Sequence, residues 1–280
     1  MMRLSLKKIF EHLSYKIVLA ERNEERMIRP LFSFMRYGTT DMFYHVYIDT
    51  ITACNRRCYY CPNSVYERGL IRNIRKMEVD TFHKIIDELA ELKWVGEIAP
   101  NFYGEPLLDD RLTNFVRYIK DKLPATRVHL NTNGDFLTVD LYKELVSSGV
   151  DAIGITHHPG GKPAFLEQVM KYRKENGHDN VPLYFYKLKF MYNRAFMNLG
   201  KGLKDRNCAE NALHKIGIHW NGDIIFCCND YLVSEKLGNI NDKKLIDIWK
   251  STRYREIRKD IKRCLFKLDV CKRCTYHKVR

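Results

Sequence analysis

Residues 54–62 read Cys54-Asn-Arg-Arg-Cys58-Tyr-Tyr-Cys61-Pro62. They follow residues 43–50, Phe-Tyr-His-Val-Tyr-Ile-Asp-Thr, whose aromatic and β-branched side chains predict a strand. Three thiolates this close together can grip three corners of a 4Fe–4S cube and leave the fourth iron without a protein ligand. An open coordination position is what metal chemistry on a substrate needs. A structural zinc would take four ligands in Cys-x2-Cys pairs, and the gap from Cys54 to Cys58 does not fit one. His83 could complete such a site, but its place in a helical pattern makes it an ordinary surface residue. Spacing favours iron–sulfur.

Outward from this loop, strand-like and helix-like segments alternate. Residues 43–50, 95–102, 126–131, 151–156 and 182–191 carry strand patterns, and 79–92, 109–122, 138–148 and 163–176 carry helical ones. Thr138 and Asp140 make a start for the third helix and Gly149 follows its end. Alternation of this kind implies a parallel sheet with right-handed crossovers. A sixth strand is expected somewhere in 194–216. A closed eight-stranded barrel would need roughly 250 residues to itself, so a partial, open barrel fits better.

The texture changes after Cys208. Ile216–Trp220, Asn221-Gly222-Asp223 and Ile224–Cys228 predict a hairpin with an Asn-Gly turn, and helices are expected at about 242–250 and 253–263. Before the first strand, Leu6, Ile9, Phe10, Leu13 and Ile17 have amphipathic helical spacing. The expected organisation is a helical extension over 1–42, a barrel over 43–207 and a small α+β unit over 208–280.

Composition narrows the class. With 45% apolar and 12% aromatic residues the chain can pack a core and is not disordered. No apolar run reaches the roughly 18 residues of a membrane span, and the N-terminus lacks the apolar block of a signal peptide. A cytoplasmic location is expected. There, nine cysteines are better explained by metal or redox chemistry than by disulfides. The formal charge of +14 implies acidic partners. Between Arg253 and Arg280 eleven Lys/Arg face only Glu256, Asp260 and Asp269, either a solvated face or a docking surface.

The Cys-x3-Cys-x2-Cys loop, with Tyr60 before its last cysteine, resembles the signature of the radical S-adenosylmethionine (SAM) superfamily. Two further motifs agree, each at a predicted strand end. Tyr103-Gly104-Glu105-Pro106 resembles the family's Gly-Gly-Glu-Pro segment; its first glycine is Tyr here, so only Gly104 and Glu105 carry over. Asn131-Thr132-Asn133-Gly134 resembles the segment on the ribose side of the SAM pocket. The resemblance implies a partial (β/α)5-6 barrel, with Cys54, Cys58 and Cys61 holding a cluster whose open iron chelates SAM. Tyr60, Gly104, Glu105, Asn131 and Asn133 would contact the cofactor. The implied reaction is reductive cleavage of SAM to a 5′-deoxyadenosyl radical that abstracts hydrogen from substrate.

Cys208-x13-Gly222-x4-Cys227, with Cys271-x2-Cys274 near the end, resembles the SPASM or shorter twitch extension of that superfamily. Leu237-Gly-Asn-Ile240, Leu245-Ile-Asp-Ile-Trp249 and Tyr254-Arg-Glu-Ile257 resemble its linker. The full extension needs further cysteines beyond the last pair, so one auxiliary 4Fe–4S cluster on Cys208, Cys227, Cys271 and Cys274 is expected. Cys228 and Cys264 are left over; Cys264 could displace one of the pair, and a zinc on the same four thiolates is the alternative.

Single-auxiliary-cluster relatives include dehydrogenases of the 2-deoxy-scyllo-inosamine type, which implies oxidation of a secondary alcohol, the auxiliary cluster accepting an electron. Asp230 is the first candidate for the base such a step needs. Lys187 and Lys189 on the fifth strand are candidates for an anionic sugar, cyclitol or nucleotide-like substrate, and His157-His158 could touch it. A redox-neutral epimerase or dehydratase, or a peptide-modifying enzyme, could use the same parts. The latter usually carries a longer N-terminal module. Nucleic acid is not expected, since no RNA-binding module is present. An acidic flavodoxin or ferredoxin is the expected electron donor.

Overall fold

The computed structural model describes residues 25–158, 163, 165–177, 181–187, 190–192, 195, 208, 212–274 and 276–278. The helix expected over residues 5–19 lies outside them, as does Lys189. Helix α1 (Glu25–Tyr37) leads into β1 (His45–Ile48). Then come α2 (Val79–Glu91), β2 (Glu97–Ala99), α3 (Leu112–Lys122), β3 (Arg127–Thr132), α4 (Val139–Ser148), β4 (Ala152–His157), α5 (Leu166–Asn176) and β5 (Leu183–Lys187). Local chemistry sets these ends. The Thr138 hydroxyl accepts from the Leu141 N–H at 3.2 Å to start α4, and Gly149, at φ +102°, ends it in the left-handed conformation.

Strands β1 to β5 pair in parallel, in the order β5-β4-β3-β2-β1. One face of the sheet is apolar: Val46, Ile48, Ile98, Val128, Leu130 and Ile153 belong to one buried core with Phe82, Phe115 and Leu145 from the helices. The alternate positions are polar. There the Glu97 carboxylate pairs with Arg127 and lies 3.5 Å from both His45 and His129 Nδ1. Burial opposes its charge, but the hydrogen bonds from His129 and His45 prevail and hold it well below the usual carboxylate range.

After β6 (Phe190–Tyr192), which with β5 divides the single strand expected over 182–191, the chain re-enters at β7 (Lys215–Ile218) and β8 (Ile224–Ile225). The expected hairpin forms, its turn glycine Gly222 at φ +89° and hemmed in by Asn239, Ile240 and Asn241. It does not stand apart from the barrel. β7 runs parallel to β1, Ile48 opposite Ile218, so it is the sixth parallel strand. Ile216 and Ile218 continue the apolar layer, which is the physical reason the hairpin joins the main sheet.

Helices α6 (Leu245–Trp249), α7 (Thr252–Lys262) and α8 (Asp269–Lys272) follow, and β9 (Tyr276–Lys278) pairs antiparallel with β6. Part of the C-terminal basic run is used internally. Arg258 is buried, stacked 3.7 Å over Trp249 and paired with Asp41. Arg253 bonds Glu235 at 2.9 Å.

Candidate active site

The Cys54–Cys61 loop leaves the C-terminal end of β1 and turns tightly, the Cys61 N–H donating to the Cys58 carbonyl at 2.8 Å. Its three thiols are half-buried and line one cavity of about 330 Å³. Burial pushes the Cys54 thiol up to about 12 and raises Cys58 as well. Thiolates there need a strong positive partner, which iron supplies; the donor set therefore fits a cluster.

Neighbouring elements brace the loop. Asp135, just beyond β3, accepts from Arg56 Nε and from Asn55 Nδ2, each at 2.7 Å. Tyr60 is buried with its hydroxyl against His158 Nδ1, which also lies 3.6 Å from Cys58 Sγ. Buried Asn63 donates to the Tyr103 carbonyl at 2.8 Å and accepts from the Tyr231 hydroxyl at 2.8 Å. Its amide thus joins this loop to the Gly-Glu-Pro loop and the C-terminal region.

Glu105 is enclosed. Its carboxylate accepts from the Asn133 N–H at 2.9 Å, from the Leu107 N–H at 3.2 Å and from the Thr132 hydroxyl. Burial outweighs these donors and pushes the carboxyl up to about 7. Among the described residues no cation pairs with this carboxylate, and an ammonium group is one that fits. Gly104 is required for packing: a Cβ there would sit 2.0 Å from the Ile51 carbonyl oxygen. Asn131 and Asn133 both line the cavity, but the Asn133 side chain is tied to the cluster loop, donating to Asn55 Oδ1 at 2.8 Å.

Cys208, Cys227, Cys271 and Cys274 come together from three chain segments. Cys208 and Cys274 are charge neighbours of Cys271, whose thiol burial pushes up to about 12. Asn229 links Cys227 to Cys274: its N–H reaches Cys227 Sγ at 3.4 Å and its side-chain amide reaches Cys274 Sγ at 3.2 Å. N–H donors aimed at sulfur suit cluster thiolates. The two leftover cysteines part company. Cys264 is exposed in a left-handed turn at the end of α7, φ +58°, whereas Cys228 lines the cavity beside Cys227.

Asp230 does not take the role expected of it. Its carboxylate caps the following turn, accepting from the Ser234 N–H at 2.8 Å, the Ser234 hydroxyl at 2.6 Å and the Glu235 N–H at 3.2 Å. It is buried and absent from the cavity wall. Asp230→Ala is expected to lower the melting temperature, by about 1–3 kcal/mol of stability for the lost hydrogen bonds to a buried carboxylate, and to leave the pH profile of turnover unmoved. A lost pH limb with an unchanged melt would restore the base assignment.

Lys187 ends β5 opposite His157, and the side chains of both lie outside the described residues. The cationic wall comes from elsewhere. Lys215, at the start of β7, lines the cavity with its Nζ 5.8 Å from the Tyr47 ring. Nothing in the sequence flagged it, because its position depends on β7 pairing with β1. His158 stood in a flagged pair but carried no signal of its contacts with Cys58 and Tyr60.

Comparison with known proteins identifies the family. The radical SAM superfamily model matches residues 48–179, and the SPASM iron–sulfur cluster-binding domain matches 208–275. The chain belongs to the radical SAM superfamily and carries a SPASM domain; it is a radical SAM enzyme with a SAM-binding and an auxiliary iron–sulfur cluster. It is 28% identical over 239 residues to the S-adenosyl-L-methionine-dependent 2-deoxy-scyllo-inosamine dehydrogenase of Niallia circulans, covering 83% of this chain and 93% of that protein. It is 23% identical to a tungsten-containing aldehyde ferredoxin oxidoreductase cofactor-modifying protein of Pyrococcus furiosus, over 75% of this chain and 82% of that one. Among solved structures it resembles BtrN in complex with AdoMet and 2-DOIA, with a TM-score of 0.74 and 27% identity over 83% of this chain and 93% of that chain. Among the described residues, no helix is long and apolar enough to cross a membrane.

Proposed function

We propose that this enzyme oxidises a secondary alcohol of a small, oxygen-rich substrate, of the cyclitol or sugar class, to a ketone. One observation carries the reading: a single cavity is lined both by Cys54, Cys58 and Cys61 and by Cys227 and Cys228. A substrate held there borders both cysteine sets. When bound, the clusters and SAM supply the one-electron chemistry: a 5′-deoxyadenosyl radical that takes hydrogen from carbon, and an acceptor for the electron left behind. The likeness to the 2-deoxy-scyllo-inosamine dehydrogenase supports the alcohol as the reacting group.

The chain's own residues do the rest. Cys54, Cys58 and Cys61 hold the SAM-binding cluster, and Cys208, Cys227, Cys271 and Cys274 the auxiliary one. Glu105 takes the SAM ammonium, oriented by Thr132 and the Asn133 N–H. Tyr60, Phe102 and Tyr103 give the cavity dry aromatic walls, and Lys215 offers an ammonium to an anionic or hydroxyl-rich end of the substrate. The setting is cytoplasmic, where the thiols stay reduced until iron is loaded.

The test is anaerobic incubation of reconstituted enzyme with SAM, dithionite and a panel of cyclitols, aminocyclitols and sugar phosphates. Ketone and 5′-deoxyadenosine are expected in equal amounts with the true substrate. 5′-Deoxyadenosine accompanied by an epimer or dehydrated product would replace oxidation by a redox-neutral reaction, with the Cys228 thiol in the cavity as the group to examine.

A further inference from the structure

Cys54 is approached from two sides. Its thiol faces the cavity, and on the outer surface a shallow groove of about 370 Å³ is lined by Cys54, Asn55, Arg57, Leu70, Ile71 and Arg72. Two single turns, Glu67–Gly69 and Ile71–Asn73, form the outer bank. They are fastened to the cluster loop itself: the Cys54 N–H donates to the Gly69 carbonyl at 3.2 Å, and the Thr52 N–H to Arg75 at 3.0 Å. The surface here is one hydrogen bond from a cluster cysteine.

The chemistry of this bank differs from that of an ordinary solvated surface. Val65 is 65% exposed and Ile71 54% exposed, and between them and around them stand the exposed guanidinium groups of Arg57, Arg72 and Arg75. Glu67 is the only carboxylate between residues 65 and 76; it meets Arg72 at 3.5 Å with both side chains over three-quarters exposed, a pairing too solvated to neutralise the face. Aliphatic side chains interleaved with arginine are the composition of a protein-binding patch. Its positive sign asks for an acidic partner.

Reductive cleavage of SAM takes one electron from the SAM-binding cluster, which must first be reduced by a donor outside the chain. We propose that this face docks an acidic one-electron carrier protein, which delivers that electron from the Cys54 side. The proposal rests on the reading that Cys54, Cys58 and Cys61 hold the SAM-binding cluster. One electron leaves the reduced carrier and enters the oxidised cluster, and no bond forms or breaks in the transfer. The C-terminal basic run is the competing face, but Arg258 is buried there against Asp41 and Trp249, and the run belongs to the segment that carries the auxiliary cysteines.

The experiment titrates a bacterial flavodoxin into the reconstituted holoenzyme by anaerobic calorimetry at low and moderate salt. Two double variants are compared, Arg72→Glu/Arg75→Glu and Lys259→Glu/Arg263→Glu. The first is expected to weaken binding about tenfold or more at low salt and to flatten its salt dependence. Flavodoxin-driven formation of 5′-deoxyadenosine should fall by a similar factor while dithionite-driven formation stays unchanged. Unchanged binding, an equal loss with both reductants, or weakening by the second variant alone would overturn the proposal. The cluster reading fails separately, by full iron and dithionite-driven cleavage persisting in Cys54→Ala.

Discussion

Replacing Cys271 and Cys274 together with Ala is expected to lower bound iron from about eight atoms per chain to about four. Dithionite-driven formation of 5′-deoxyadenosine should persist, and ketone formation should cease. The expectation follows from where these thiols lie. Cys271 is half-buried beside Cys208, and Cys274 shares Asn229 with Cys227, so removing the pair takes two of four converging donors. The first cysteine loop is braced separately, by Arg56 on Asp135 and by Asn63 on Tyr103. Persistent cleavage of SAM also reports that the barrel has folded. Iron and sulfide analysis with product quantification checks both halves. About four irons in the parent and in the variant would remove the auxiliary cluster from the account, and the alcohol dehydrogenase reading with it.

The second large effect is expected at Glu105. Glu105→Gln removes a buried carboxylate placed to meet an ammonium, and losing one partner of a buried ion pair costs roughly 3–5 kcal/mol. SAM affinity should fall by about two to four orders of magnitude, read calorimetrically. The pH dependence sharpens the test. In the SAM-free protein the carboxyl is pushed up to about 7 by burial, so below that pH it is mostly protonated and must lose its proton to hold the ammonium. Affinity should therefore rise as pH increases from about 5.5 to about 7 and then level, and the glutamine variant should lose that slope. The same shift has the opposite sign for folding. With the folded value above the ordinary 4.5, the SAM-free protein binds the extra proton, so this contribution is greatest below pH 4.5 and is lost as pH rises to about 7. A flat SAM affinity over that range would mean that Glu105 is already ionised, and that a cation on the protein holds it so.

How far each level of structure was legible can be traced residue by residue. The spacing of Cys54, Cys58 and Cys61 lies within a single turn of chain, so backbone geometry links it directly to a ligand set. The Thr138 cap, the Gly149 stop and the Asn221-Gly222 turn are local in the same way, and each forms as its residues dictate. Strand and helix alternation was enough for the open α/β barrel, because each apolar stripe must be buried against its neighbours. Asp230 shows where locality misleads. Its position two residues beyond the Cys227-Cys228 pair suggested a group facing the substrate, but a short polar side chain with backbone N–H groups close downstream caps its own turn.

By itself, then, the sequence determined the chemistry whose parts lie close together along the chain: three thiols for a cluster, a Gly-Glu pair at a strand end, a Cys-x2-Cys near the C-terminus. Tertiary structure alone decided what depends on distant segments meeting. β7 joins β1 because Ile216 and Ile218 extend the apolar layer, and that pairing brings Lys215, Cys227 and Cys228 to the cavity that the first cysteine loop also lines. His158 reaches Cys58 and Tyr60 across about a hundred residues of chain, and Asn229 joins Cys227 to Cys274. The physical reason is the same each time: ligand spacing within a turn is set by covalent geometry, whereas which strands become neighbours is set by the burial of apolar faces that carry no address in the residues they bring together.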